Sequence, residues 1–178
     1  MSGSTKKALK NRTKAVAIVR CAGGRLVGRT RLQKTAYLME LAGYGEGFDF
    51  EYRHYGPYSE DLSQAMELAE AFEMVKEEEK PTEWGGWYSI YTVEGETETE
   101  TETGKTKFVR TVSQYNAIEL ELAATAAYLK KEEGIADPWE ETRRRKPEKA
   151  TPERLQGAKR IYQEIRRLPA PVPLPEIA

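Results

Sequence analysis

The sequence predicts an α+β fold, and three observations carry that reading. Apolar residues recur at helical spacing over residues 6–22, 30–41 and 59–72. Phe48, Phe50 and Tyr52 alternate with Asp49, Glu51 and Arg53, the period of two expected of a short strand. Trp87, Ser89, Tyr91 and Val93 alternate in the same way with Tyr88, Ile90 and Thr92, and residues 106–112 (TKFVRTV) read as the returning arm of a long hairpin over residues 84–112. Three helices, a connecting strand and a hairpin, in that order, make a winged helix-turn-helix plan with a long β-hairpin wing. Helical patterns beyond residue 115 add a C-terminal helical extension. The expected organisation is a flexible N-terminus over residues 1–7, a winged-helix domain over 8–114, the helical extension over 115–168 and a Pro-rich tail over 169–178.

Each element has its own local reason. In the first helix, Leu9, Val16 and Val19 with Ala8, Ala15 and Ala22 form a narrow apolar stripe, and Gly23 and Gly24 stop it. The second opens on Thr30 with Gln33 three residues later, a capping-box pattern. Its apolar face is Leu32, Ala36, Tyr37, Leu38, Met39 and Leu41. The segment Tyr55, Gly56, Pro57, Tyr58 and Ser59 must turn the chain. Ser59 is placed to cap the third helix, with Glu60 and Asp61 at the favourable end of its dipole. Leu62, Ala65, Met66, Ala69 and Phe72 give that helix its inward side. The run EEEKP after it reads as a charged turn, and the repeat EGETETETETGK as a solvated hairpin tip.

Further on, Asn116 and Glu119 form a capping pair for a helix running to about residue 132, with Ile118, Leu122, Thr125, Ala126 and Leu129 on one face. Asp137 and Pro138 start a short helix that closes on Arg143, Arg144, Arg145 and Lys146, before Pro147 breaks it. Thr151 and Pro152 start the last helix, with Leu155, Ala158, Tyr162 and Ile165 inward. The tail LPAPVPLPEIA reads as polyproline-like and mobile.

Composition narrows the function classes. The chain has 178 residues, one cysteine (Cys21) and one histidine (His54). A single cysteine excludes an internal disulfide and a thiolate zinc cage. His54 lacks a second histidine or nearby cysteine as partner, so a packed or turn-stabilising role is expected of it. The tyrosines at 52, 55 and 58 are expected to pack the core and the turn. The basic N-terminus has no apolar stretch after it, and no apolar run reaches the ~20 residues of a spanning helix. Together these point to a non-enzymatic cytoplasmic protein with no cofactor, no metal and no membrane contact.

Two word-like stretches resemble a known group. Arg31-Leu32-Gln33-Lys34 with Tyr37-Leu38 is similar to the LQK-x-x-YL helix of the YwgA-like winged-helix proteins and the related Panacea domain of SocA-like antitoxins. Tyr55-Gly56-Pro57-Tyr58-Ser59 followed by Leu62 resembles that group's YGPYS-x-x-L turn. The stretch ELAATAAYL at 121–129, the stop Arg145-Lys146-Pro147 and the helix word ERLQGA resemble its C-terminal part. The resemblance spans roughly residues 8–167. It implies a winged-helix fold, a prokaryotic setting and, for some members, an antitoxin or regulatory role. The long acidic TETETET segment departs from a short wing.

Charge is strongly segregated along the chain. Residues 1–34 carry ten Lys or Arg and no Asp or Glu; residues 35–104 carry three against eighteen; residues 105–178 carry fifteen against eleven. Two readings follow. With the resemblance, the first is a DNA-associated transcriptional regulator or antitoxin-like factor. Its phosphate contacts would come from Lys6, Lys7, Lys10, Arg12 and Lys14, from Arg29, Arg31 and Lys34, and from Arg143, Arg144 and Arg145. The second is a protein-interaction module, with a toxin, a nuclease or a second copy as partner. It would use Glu60, Asp61, Gln64, Glu67 and Glu70 on the third helix and the acidic wing, without DNA contact. The third helix is where a helix-turn-helix protein reads the major groove, and here its exposed side is acidic.

Overall fold

In the computed structural model, which describes residues 3–95 and 103–178, α1 (Gly3–Cys21) leads through Gly23 and Gly24 into β1 (Arg25–Val27) and α2 (Arg29–Ala42). The helix is already formed at Gly3, inside the segment expected to be flexible. β1 escaped the sequence reading because three residues, with only Leu26 buried, carry no countable alternation. α2 starts after Gly28, whose φ of 95° brings the chain in from β1, and no side chain caps it. The Thr30–Gln33 capping box does not form, because Gln33 turns inward to serve another segment. Gly43, at φ 80°, ends α2 in the left-handed region.

β2 (Glu51–Arg53) and β3 (Gly56–Tyr58) form a small antiparallel hairpin, with His54 and Tyr55 as its two-residue turn. Gly56 is required there. Its φ is +86°, and a Cβ on it would run into the Thr125 hydroxyl. α3 (Glu60–Ala71) follows, and the Ser59 hydroxyl accepts from the Leu62 N–H as anticipated. Leu62, Ala65, Met66 and Ala69 are buried. Phe72 is not: it is 62% exposed, with the Arg12 guanidinium 4.1 Å from its ring centroid.

The larger hairpin differs from the expected one. The charged run is β4 (Lys76–Pro81), which pairs antiparallel with β5 (Trp87–Thr92), and β1 completes the sheet in the order β1-β5-β4. A strand so rich in charge belongs at an edge, where one side of the ladder meets water. Residues 82–86 close the hairpin, Thr82 bonding Gly86 through both backbone and hydroxyl. The expected returning arm is a helix, α4 (Gly104–Val112), capped by Thr103. Its buried Phe108, Val109 and Val112 fall at i, i+1 and i+4, a helical face. Residues 96–102 of the acidic repeat, read as a hairpin tip, lie outside the described residues.

The remaining helices are α5 (Ala117–Lys131), α6 (Pro138–Arg145) and α7 (Pro152–Arg166). Asn116, Asp137 and Thr151 each cap their helix by a side-chain oxygen, as the sequence suggested. α5 is the central element. It packs on α2, β3, α6 and α7, and Leu120 to Ala127 are all buried. The tail is held rather than free. The Val172 N–H donates to Ala42, the Tyr44 and Tyr162 hydroxyls donate to the carbonyls of Pro169 and Pro175, and Leu174 and Ile177 are buried. The whole is an α+β arrangement of seven helices, a three-stranded sheet and a two-stranded hairpin among the described residues. No helix among them is long and apolar enough to cross a membrane.

Candidate functional site

Most of the cations singled out from the sequence are engaged within the fold. Arg29 bonds Glu77 and Glu79, and the Glu77 hydrogen bond holds its pKa above the ordinary value. Arg31 lies partly buried and donates to the carbonyls of Tyr115 and Val27; loss of hydration lowers its pKa. Lys34 is 1% exposed and donates to the Pro57 carbonyl at 2.7 Å. Lys7 pairs with Asp61, Lys14 donates to the Glu46 carbonyl, and Arg12 covers Phe72. Arg143 pairs with Glu140, Arg144 with Glu141, and Arg145 with both Glu133 and Glu141. The two arginines on Glu141 hold that carboxyl down at about 2. Lys6 and Lys10 remain exposed on α1, together with Arg20. The eleven cations therefore do not converge on one open surface. Lys7 on Asp61 and Arg29 on Glu77 and Glu79 join the basic start of the chain to its acidic middle, while Arg143, Arg144 and Arg145 pair with carboxylates of their own C-terminal region.

The acidic residues divide differently. Glu60 pairs with Arg53 and Asp61 with Lys7, while Gln64 donates to Glu60 over 3.4 Å. Glu67, Glu70 and Glu73 are exposed and form no ion pair among the described residues. Glu73 sits at φ 57°, a left-handed conformation uncommon outside glycine, where the chain leaves α3. It turns into a cleft lined by Glu70, Glu73, Glu94, Lys76, Met74 and Val75. Its lining mixes three carboxylates with the Lys76 ammonium and the apolar side chains of Met74 and Val75. Leu68 and Phe72 add exposed apolar area on α3, and Trp84 and Trp87 stand 93% and 69% exposed on the β4–β5 hairpin.

A third cluster lies inside the molecule. Glu121, 2% exposed, takes hydrogen bonds from Lys146 at 2.8 Å and from Lys149 at 2.9 and 3.0 Å. Burial pushes Lys34 down to about 7; the Glu121 charge opposes that shift, and the ammonium groups of Lys146 and Lys149 add to it. Lys146 also donates to the His54 carbonyl, and the Lys149 ammonium sits 4.4 Å from the Tyr55 ring centroid. His54 and Tyr55 are exposed on the hairpin turn, His54 edge-on to the Tyr55 ring rather than packed into the core. Tyr52 and Tyr58 are half-buried, against Tyr128 and Arg53 respectively, so of the three tyrosines Tyr55 departs from the packing role.

Glu121, Lys146 and Lys149 were missed as a unit by sequence reasoning. A signal was present: IELELAATAAYL is apolar on nearly every face, so a carboxylate in its middle has to be buried and needs a cation. Trp84 and Trp87 left no comparable sign, because an aromatic residue in a turn or at the end of a strand reads the same whether it points inward or outward. Among the described residues no group of three or more His, Cys, Asp or Glu is placed to hold a metal ion. A comparison of the chain with protein-family models and with curated proteins gives no match.

Proposed function

We propose that this chain is a non-enzymatic, winged-helix-type protein of the YwgA-like and SocA-like group that acts as a protein-interaction module, docking a basic partner on the acidic surface of α3 and the β4–β5 hairpin. The topology supports the fold part of this reading. Helix, strand, two helices with the small β2–β3 hairpin between them, and the β4–β5 hairpin follow one another, with the first strand completing the sheet beside β5. The charge layout supports the functional part, and one observation carries it. Most of the cations that DNA binding would need, Lys6 and Lys10 apart, are committed to partners within the chain, whereas Glu67, Glu70 and Glu73 face solvent with no ion pair among the described residues. Phosphates are repelled by such a face, and a Lys- or Arg-rich surface is attracted to it. The exposed Leu68 and Phe72 beside these carboxylates supply the apolar area that an interface core uses.

Capture from the source cells tests this directly. One basic protein should be recovered at one-to-one stoichiometry with the native chain and lost with the double variant Glu67→Lys/Glu70→Lys. Equal recovery by both would overturn the reading. A second reading, DNA association, rests on the exposed Lys6, Lys10, Arg20 and Arg25. Duplex DNA binding whose salt dependence weakens when Lys6 and Lys10 become Ala would favour it, and no binding at low salt would eliminate it.

A further inference from the structure

We propose that the cleft between the β2–β3 turn and the α6–α7 connection binds a phosphate monoester dianion. The cleft is open to solvent, has a volume of about 440 Å³ and is lined by His54, Tyr55, Arg145, Lys146, Glu148 and Lys149, with Pro147 between them. Neither α3 nor β4 contributes a residue, so this site is separate from the acidic surface and does not depend on the role given to that surface.

The inner wall is short of negative charge. One buried carboxylate, Glu121, serves the ammonium groups of both Lys146 and Lys149. Charge withdrawn from water is costly without a counter-charge, and Lys146 and Lys149 share a single carboxylate between them. A dianion seated in the cleft would supply what Glu121 alone does not. The donors suit a phosphate. Lys149 is one-third exposed at the mouth, and the His54 imidazole is exposed beside it, with no hydrogen-bond partner of its own among the described residues. The Tyr55 ring, 53% exposed, offers a flat surface for the group that carries the phosphate. Glu148 at the rim works against anions in general. That rim favours a ligand whose charge is concentrated at the lysine wall.

Because His54 is the sole histidine, its imidazole proton resonances report on this cleft alone. Titration with inorganic phosphate and with phenyl phosphate, at fixed pH and ionic strength against chloride, should give saturable shifts in both arms. The ester should bind several-fold more tightly through Tyr55. Lys149→Gln should weaken both about tenfold, Lys149→Arg should largely restore them, and Lys107→Gln, on the exposed side of α4, should leave them unchanged. Calorimetry on His54→Gln should show weaker phosphate binding, which keeps the test open if Lys149→Gln does not fold. Shifts that never saturate, or that are the same in Lys149→Gln and the native chain, would overturn the proposal. Tighter binding of free phosphate than of the ester would assign the site to the inorganic ion and overturn the monoester.

Discussion

Gln33 and Ser59 exchange a matched pair of hydrogen bonds. The Ser59 N–H donates to Gln33 Oε1 at 2.8 Å, and Gln33 Nε2 donates to the Ser59 carbonyl at 2.9 Å. Both residues are buried, and the neighbouring Lys34 reaches Pro57 from the same helix. The side chain of α2 thus fixes the backbone at the point where the chain leaves the β2–β3 hairpin and enters α3. Gln33→Leu should leave the Ser59 N–H buried and unpaired, while the Ser59 carbonyl keeps the Ser63 N–H. A buried group left unpaired costs about 1–3 kcal/mol, so chemical denaturation should register a loss of that size. A loss below 1 kcal/mol would mean that water or a shifted backbone replaces the amide.

The same contact shows what the sequence could and could not reveal. LQK and YGPYS stand out as words in the chain, but that they touch is a tertiary fact. Gln33 read as a capping residue because a glutamine three positions after a threonine satisfies that pattern wherever it occurs. It bonds Ser59 because the hairpin exit is buried against α2, which no local pattern encodes. The caps at Ser59, Asn116, Asp137 and Thr151 were legible because a cap is decided within four residues. β4 and α4 were misread for opposite reasons. KEEEKP has little strand propensity and is made a strand by pairing with β5. TKFVRTV is rich in β-branched residues, yet Thr103 caps it and Phe108, Val109 and Val112 bury one helical face. The charge segregation was plain in the sequence, whereas its internal use, as in Arg29 on Glu77, was not.

Lys34 should make stability depend on pH. Its ordinary value near 10.5 holds in the unfolded chain, and burial lowers it to about 7 in the folded one. Between those values the unfolded chain binds the proton and the folded chain does not. Stability therefore rises with pH across that window, by up to about 1.4 kcal/mol per pH unit from this group. Below about 7 both states are protonated and the contribution is flat. Unfolding free energies of the native chain and of Lys34→Met, followed from pH 6 to 10, should diverge in favour of the native chain as pH rises above 7. A difference that stays constant over the range would show that Lys34 keeps its proton when folded.

Glu121 should be far less tolerant of change than its lysine partners. Glu121→Gln removes the one carboxylate on which both Lys146 and Lys149 depend, leaving Lys146 buried without a counter-charge. Breaking a buried pair in this way costs about 3–5 kcal/mol. Lys149→Gln should cost much less, because that side chain is 34% exposed and Lys146 still neutralises Glu121. The double variant should lose less than the two single losses combined, since the three groups act as one unit. Strict additivity in denaturation experiments would mean that the cluster is three independent contacts.

The C-terminal tail should behave as part of the core. Leu174 and Ile177 are 4% and 3% exposed, and the Val172 N–H is bonded to the Ala42 carbonyl at the end of α2. Val172 also lies against Gly43, where an added Cβ would strike it. A chain ending at Leu168 exposes the surfaces that those two side chains cover and frees the Tyr44 and Tyr162 hydroxyls from Pro169 and Pro175. Burial of an aliphatic side chain contributes about 1.5–3 kcal/mol, so truncation should cost about 3–6 kcal/mol and lower the denaturation midpoint. In the full chain the Val172 amide should exchange slowly with solvent. A proline-rich segment that was mobile would show neither effect, because removing it would uncover nothing.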